Sequence, residues 1–262
     1  MIKVGIIGYG AIAQYLAQAL PRIGAELVFV VAREGREIAV RDALGDVAVG
    51  GDILGAPELD VVVDCAGHQA LRDHGYAVLR RGIDLVTVSI GALADDALRA
   101  SLEEAARIGG STLHLPSGAL GALDALGSAA EGGLARVTYT GRKPPNGWKG
   151  SPAEDAVDLD GLTEAAVHFE GSARQAALAY PKNANVAAAV ALAGVGFDAT
   201  QVLLIADPDA RANIHEVEAE GEFGSFRFEI AGETLPDNPR TSALAAMSVV
   251  KTVADRARSL RV

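Results

Sequence analysis

The first thirteen residues constrain the fold most strongly, because they place a glycine-rich turn between a strand and a helix. Val4–Ile7 is a continuous apolar run, which is typical of a strand covered on both faces. Gly8-x-Gly10-x-x-Ala13 follows directly, and a helical pattern continues to Leu20. A strand, a glycine turn and a helix in this order predict the first element pair of a parallel α/β sheet.

The same alternation of strand and helix continues to about residue 118. The predicted strands are Leu27–Val31, Val61–Val63, Leu85–Val88 and Thr112–Leu115, and the predicted helices are Gln69–Arg81 and Asp95–Ile108. Strands that alternate with helices are joined by right-handed crossovers. We therefore expect an N-terminal Rossmann domain with a doubly wound parallel sheet over residues 1–118.

Beyond residue 118, the predicted strands alternate apolar and polar side chains. They are Val137–Thr140, Ala166–Phe169, Val202–Ala206, Ile214–Glu220 and Ser225–Ile230, with helices at Leu120–Ala130 and Asn185–Ala193. This pattern predicts a smaller α+β catalytic domain over 119–239 with a mostly antiparallel sheet. Thr241 is the predicted N-cap of a terminal amphipathic helix, within 240–262, that packs back on the first domain.

Charge and cysteine content exclude several classes of protein. The chain has 34 acidic and 23 basic side chains, a net charge of −11, which disfavours binding to nucleic acid or to an anionic membrane. Its longest apolar stretch, Asn185–Gly196, is too short to span a bilayer. The single Cys65 and the spacing of the five histidines predict no disulfide and no metal site. We expect a cytoplasmic protein.

The glycine turn predicts a dinucleotide cofactor. Gly8 permits the tight turn, and Gly10 lets the backbone approach a pyrophosphate. The N–H groups at the following helix N-terminus, Ala11 and Ile12, would hold that anion. The second candidate contact is Ala66-Gly67, after the third strand. The alternative is a glycine turn that binds no ligand.

The end of the second strand leaves the choice between NAD and NADP open. A carboxylate there binds the ribose 2′-hydroxyl and repels a 2′-phosphate. This strand instead ends Val31-Ala32-Arg33-Glu34. Arg33 could accept a 2′-phosphate or be a solvated loop charge, and Glu34 keeps NAD possible.

Six segments of the second half carry a more specific pattern than the glycine turn. They are Ser117–Asp124, Thr140–Trp148, Phe169–Arg174, Tyr180–Ala189, Asn213–Glu216 and Asn238–Ser242. In order and spacing they resemble the L-aspartate dehydrogenase family over nearly the whole chain. The resemblance implies a homodimer that oxidises L-aspartate with NAD or NADP. The products would be iminoaspartate, then oxaloacetate and ammonia, and the imine could supply NAD biosynthesis. It also implies a catalytic His215 and cofactor contacts at Ala119 and Asn185.

The strand around His215 supports a functional position for that residue. His215, Val217 and Ala219 share one strand face, and three glutamates occupy the other face, which must be solvated. A neutral imidazole suits proton exchange near neutral pH. His215 could act as general base toward the water that attacks the imine, or bind a substrate carboxylate. The alternative is a core histidine.

A dicarboxylate substrate requires cations or N–H donors. The candidate substrate-binding residues beside the family motifs are Arg142, Lys143, Lys149, Lys182 and Asn183. Each cation taken alone is more typical of a surface charge, but one or two of them are expected to line the pocket. Asn183 and Asn185 could instead cap the helix that follows them.

The remaining histidines have weaker claims to function. His68 lies near the nicotinamide or begins a helix, and His74 is expected on a solvated helix face. His114 and His168 are expected to be structural. Two other functions stay open: a related Rossmann oxidoreductase, resembling dihydrodipicolinate reductase or homoserine dehydrogenase, and a non-catalytic NAD(P) sensor.

Overall fold

The chain divides into two units by the contacts among its residues. A computed structural model describes residues 1–181, 183–236 and 238–260, without the side chains of 239 and 240. The first unit consists of Met1–Pro116, Pro236–Thr241 and Ala245–Val262, and the second of Ser117–Leu235 and Ser242–Leu244. No helix of the described ranges combines the length and apolar character needed to cross a membrane.

A six-stranded parallel sheet forms the centre of the first unit. Its strands are β1 (Ile2–Ile7), β2 (Ala25–Val31), β3 (Ala48–Gly50), β4 (Val61–Asp64), β5 (Asp84–Thr87) and β6 (Leu113–His114). The helices between these strands are α1 (Ala11–Ala19), α2 (Glu37–Leu44), α3 (His68–Arg80) and α4 (Asp96–Gly109). The strand order is β3-β2-β1-β4-β5-β6. The order reverses between β1 and β4, and doubly wound sheets bind ligands at the carboxyl ends of strands at that point. The predicted Rossmann sheet is confirmed.

A five-stranded mixed sheet forms the centre of the second unit. The elements of this unit are β7 (Leu134–Lys143), β8 (Ala166–Ser172), β9 (Gln201–Ala206), β10 (Asn213–Gly221), β11 (Gly224–Gly232), β12 (Thr234–Leu235), α5 (Leu123–Gly132), α6 (Ala153–Ala156), α7 (Ala173–Ala179) and α8 (Asn185–Ala193). The order is β11-β10-β7-β9-β8. Only the β7–β9 pair of this sheet is parallel. The predicted mostly antiparallel sheet is confirmed.

Local signals explain several of the boundaries. The Asp95 carboxylate accepts hydrogen bonds from the N–H groups of Ala97 and Leu98, and so caps α4. Helix α5 begins at Leu123 and not at the predicted Leu120, because the chain before it turns through a left-handed conformation at Ala122, where φ is 63°.

The C-terminal elements are β13 (Asn238–Ser242) and α9 (Ala243–Ala254). The prediction of Thr241 as an N-cap is wrong, because Thr241 lies within β13 and the helix begins two residues later. Val249 and Val253 of α9 are buried in the core of the first unit, together with Val4 and Leu16.

Candidate functional site

A cavity of about 420 Å³ opens at the carboxyl ends of β1, β2 and β4. Gly8, Gly10, Arg33 and Ala66, four of the predicted cofactor-binding residues, line it. Of the other predicted residues of this unit, Ala11 and Gly67 are sequence neighbours of lining residues, and Ile12 follows Ala11 in the first turn of α1. The cavity therefore coincides with the expected dinucleotide crevice.

The glycine turn leaves room for a ligand to contact the protein backbone. Gly8 has a φ of +92°, and a Cβ at this position would lie 2.9 Å from the Cβ of Ala66. At Gly10 a Cβ would meet no described heavy atom within 4 Å, so it would project into open space. No side chain caps the N-terminus of α1, and no acidic residue lies in its first turn. These features fit a dinucleotide whose pyrophosphate lies at the helix N-terminus.

The buried carboxylate of Asp64 holds the second loop of the crevice. It accepts hydrogen bonds from the Thr87 hydroxyl at 2.8 Å, the Ser89 hydroxyl at 2.6 Å and the Ala66 N–H at 3.0 Å. Burial raises the pKa of Asp64, and these hydrogen bonds oppose the rise. Sequence reasoning missed this role, although an aspartate that ends a fully apolar strand is a usable signal.

Two arginines lie where β2 ends. Arg33 and Arg36 both line the cavity. Arg36 was not predicted, because it lies five residues beyond the end of β2 at Val31, past the position at which a ribose contact is expected. The described cavity lining includes neither Glu34 nor Glu37. The charge at this end of the crevice therefore suits an anionic group.

The second unit buries His215 on the inner face of its sheet. His215 is 4% exposed, and Val217 and Ala219 on the same face are also buried. The Nδ1 atom of His215 lies 2.7 Å from the hydroxyl oxygen of Tyr139. Burial, and secondarily the charge of Lys143, lowers the pKa of His215 to about 4. The imidazole is therefore neutral at physiological pH.

Lys143 is a partly buried cation of this unit. Its Nζ donates to Oδ1 of Asn183 at 2.8 Å and lies 4.7 Å from the centre of the Trp148 ring. Burial lowers the pKa of Lys143 to about 8. An ammonium group with this little solvation is suited to binding a carboxylate.

The other candidate cations differ from Lys143 in their surroundings. Arg142 forms an ion pair with Asp207 at 2.6 Å, and Lys149 forms an exposed pair with Asp160 at 2.6 Å. Lys182 lies outside the described residues.

The alternative role of Asn183 and Asn185, capping of α8, is not seen in the structure. The N-cap is Ala184, without a side-chain hydrogen bond, and Asn185 is the first helical residue. The Asn183 side chain instead accepts the hydrogen bond from Lys143. Ala119 is buried at the start of the second unit.

The remaining histidines lie in different environments. His168 packs edge-on against Trp148, with Nδ1 3.2 Å from the Tyr180 hydroxyl. Burial, then the charge of Lys143, lowers the pKa of His168 to about 4. His114 contacts Asp84 at 3.2 Å.

Two histidines lie on α3. His68 is its first residue. The expectation that His74 lies on a solvated helix face is wrong, because His74 is partly buried and lines the cavity. Within the described ranges, no group of three or more His, Cys, Asp or Glu side chains is placed to hold a metal ion.

Comparisons with known proteins find a dehydrogenase family model for each of the two units. Residues 124–256 match the family model described as aspartate dehydrogenase, C-terminal, and residues 4–116 match that of the homoserine dehydrogenase NAD binding domain. The chain is 55% identical to an L-aspartate dehydrogenase of Ruegeria pomeroyi, covering 99% of this chain and 94% of the relative. It is 48% identical to one of Cupriavidus necator, with both chains fully covered.

A solved structure shares the whole fold. The crystal structure of aspartate dehydrogenase from Thermotoga maritima matches with a TM-score of 0.78 and 26% identity, covering 100% of this chain and 99% of the other. The predicted resemblance is confirmed, as are the NAD(P) cofactor and the class of enzyme, an amino-acid dehydrogenase. This chain belongs to the aspartate dehydrogenase family.

Proposed function

We propose that the chain catalyses the reversible oxidative deamination of L-aspartate with NAD or NADP. The observation that carries the proposal is that one sheet holds a buried neutral imidazole, His215, and a partly buried cation of lowered pKa, Lys143. Together they offer a proton-exchanging group and a carboxylate-binding group. Relatives of 44–55% identity are L-aspartate dehydrogenases.

The first domain, residues 1–118 with the C-terminal segment 240–262, is proposed to bind the cofactor, and 119–239 to carry the catalytic residues. When bound, the nicotinamide accepts the hydride that leaves the aspartate Cα. The turn at Gly8 and Gly10, with the N–H groups of Ala11 and Ile12, holds the pyrophosphate. Further cofactor contacts are proposed at Ala66, Gly67, Ala119 and Asn185.

Lys143 is proposed to bind a substrate carboxylate. Its hydrogen bond to Asn183 and its contact with Trp148 fix the position of the ammonium group. Arg142, already paired with Asp207, and Lys182 are proposed as secondary contacts.

His215 is proposed as the catalytic residue. Tyr139 occupies Nδ1, which leaves Nε2 for the substrate. Through Nε2 the ring could act as general base toward the water that attacks the imine, or donate to a substrate oxygen. Hydrolysis of iminoaspartate then yields oxaloacetate and ammonia. We also propose that the imine supplies NAD biosynthesis and that the chain forms a homodimer, as the resemblance implies.

NADP is proposed as a cofactor alongside NAD, because Arg33 and Arg36 both line the crevice beyond β2. Both charges can bind a 2′-phosphate. Arg33→Ala combined with Arg36→Ala is expected to raise KM for NADP and leave KM for NAD little changed. Equal effects on both cofactors would contradict this assignment.

Initial rates with L-aspartate and each cofactor test the proposed reaction, with oxaloacetate plus ammonia as the reverse assay. We expect reduction of NAD or NADP that depends on L-aspartate. His215→Ala is expected to lower turnover about 10²- to 10⁴-fold while the affinity for cofactor is retained. Tight cofactor binding without any L-aspartate-dependent reduction would refute the proposal and favour a sensor or a related oxidoreductase.

A further inference from the structure

Tyr139 reaches His215 from the neighbouring strand. In the antiparallel β7–β10 pair, His215 lies opposite Gly141, and Val217 lies opposite Tyr139. Tyr139 is therefore the diagonal neighbour of His215 on the same face of the sheet. The two rings are nearly parallel, with an interplanar angle of 18°. The tyrosine hydroxyl lies 2.7 Å from Nδ1, well within hydrogen-bond distance.

Gly141 makes this diagonal contact possible. A Cβ at position 141 would lie 2.8 Å from the Tyr139 hydroxyl oxygen and 3.2 Å from a methyl carbon of Leu204. Any larger residue opposite His215 would displace the hydroxyl from its present position. The glycine is thus needed for the space that it leaves, since its φ is not in the left-handed region.

The hydrogen on the tyrosine oxygen decides where the imidazole hydrogen resides. Tyr139 is 1% exposed, and burial raises its pKa, so the hydroxyl stays protonated. Among the described residues, Nδ1 of His215 is the acceptor that this hydroxyl reaches. A buried hydroxyl left without an acceptor loses the hydrogen bond that it makes to water in the unfolded chain, at a cost in stability. Donation from the Tyr139 O–H to Nδ1 avoids that cost, and the hydrogen of the neutral ring must then reside on Nε2.

We propose that Tyr139 is a positioning residue that holds neutral His215 as the tautomer with its hydrogen on Nε2, in the space left by Gly141. The proposal deepens the proposed function and rests on it in one respect, namely that the substrate meets His215 at Nε2.

The tautomer distinguishes the two roles left open for His215. With hydrogen on Nε2, the resting ring donates a hydrogen bond to a substrate oxygen, such as a carboxylate or the carbonyl of the oxo acid. It cannot accept a proton at that atom. Action as a general base would first require the opposite tautomer, in which Nδ1–H donates to the tyrosine oxygen and the hydroxyl hydrogen turns away.

Among the described residues, two side chains of β7 bear on the titration of His215. From β7, Tyr139 supplies the hydrogen bond and Lys143 the charge that lowers its pKa. From β11, Ile230 lies opposite it and is apolar. A change in the titration of His215 on removing the tyrosine hydroxyl therefore reports on that hydroxyl, provided that Lys143 is intact.

Nitrogen-15 NMR of the histidine rings in the full-length chain tests the tautomer without substrate or turnover. The ring signals are assigned by their loss in His215→Asn. In the unsubstituted chain we expect a protonated Nε2 and an accepting Nδ1. A protonated Nδ1 in the neutral ring would overturn the proposal, and apart from the variant used for assignment the measurement is made on the unsubstituted chain.

Tyr139→Phe removes the hydroxyl and retains the ring. Because a donor to Nδ1 favours the neutral imidazole, its loss is expected to raise the pKa of His215 by about one unit. Gly141→Ala should change it in the same direction by displacing the hydroxyl. Tyr76→Phe, at a tyrosine that is 45% exposed, is the matched control. An unchanged or lower pKa in Tyr139→Phe would refute the assigned hydrogen-bond direction.

Kinetics separate this proposal from the proposed function. Tyr139→Phe is expected to lower kcat for L-aspartate more than tenfold, with KM for the cofactor unchanged. If the unsubstituted chain shows no activity with L-aspartate, the proposed function fails, while the NMR result still decides the tautomer. Full kcat in Tyr139→Phe, with the tautomer lost, would overturn the positioning role.

Discussion

Two buried histidines of the second unit lie within the electrostatic influence of one cation. Lys143 is held by Asn183 and Trp148, and its charge lowers the pKa values of both His168 and His215. Burial is the larger cause of both lowered pKa values, and the cation adds to it, because protonating either imidazole would place two like charges in a poorly solvated region. The same charge is then available for a carboxylate.

Removing the charge tests this arrangement at the residue scale. Lys143→Met is expected to raise KM for L-aspartate at least tenfold, because a carboxylate loses its charged partner, and to raise the pKa of His215. Affinity for the cofactor should be retained. Lys149→Met removes a cation whose partner Asp160 is largely exposed and is the control. Equal KM values in the two variants would refute the role of Lys143.

The two neutral histidines also make stability depend on pH. In the unfolded chain they take up protons near the ordinary value of 6.5, and in the folded chain at about 4. The unfolded state therefore binds more protons between these values, and the free energy of unfolding falls as the pH is lowered from 6.5 to 4. Thermal unfolding across this range should show a falling Tm, with a smaller fall in His215→Asn. An unchanged slope in the variant would contradict the low pKa of His215.

At the scale of elements, the β1–α1 connection combines two glycines with different requirements. Gly8 is fixed by its left-handed backbone and by its closeness to Ala66, whereas Gly10 faces open space. Asp64 holds Ala66 from the other side through its N–H. The loops after β1 and β4 are thus in close contact at the crevice.

Alanine at each glycine separates folding from binding. Gly8→Ala is expected to lower both stability and cofactor affinity, because Ala is strained at positive φ by about 1 kcal/mol or more and its Cβ meets Ala66. Gly10→Ala should keep the Tm within a few degrees and still weaken NAD(P) binding, because its Cβ projects into the crevice. Titration of cofactor alongside thermal unfolding measures both. Unchanged affinity in Gly10→Ala would contradict a close approach of the ligand at that turn.

At the scale of the molecule, α9 contributes to the core of the first unit. Val249, Val250 and Val253 of α9 are buried with Val4 of β1 and Leu16 of α1. Residues separated by most of the chain length therefore stabilise one another, and the Rossmann sheet depends on the C-terminus.

Val253→Ala tests that dependence. Removing two buried methyl groups is expected to destabilise the first unit by about 2 kcal/mol, seen as a lower denaturant concentration at which cofactor binding is lost. Met247→Ala, on the same helix but 47% exposed, is the control. If Val253→Ala and the unsubstituted chain lost cofactor binding at the same denaturant concentration, α9 would not stabilise the parallel sheet of the first unit.

Local patterns in the sequence determined the order of strands and helices, the glycine turn, the bounds of α8 and the buried face of β10. Each follows from the periodicity or conformational preference of adjacent residues. Short or weakly patterned elements were missed, namely α2, β3, α6, α7, β12 and β13. For α7 a local signal existed, because Ser172 and Gln175 form a capping box.

Only the tertiary structure decided the chemistry of the site. The partners Tyr139 and His215 are 76 residues apart, and Lys143 and Asn183 are 40 residues apart. No spacing in the sequence predicts which side chains meet across strands. The low pKa values of Lys143 and His215 arise from burial, a property of the packed sheet. The sequence therefore determined which residues could act, and packing across the strands determined their hydrogen bonds and protonation states.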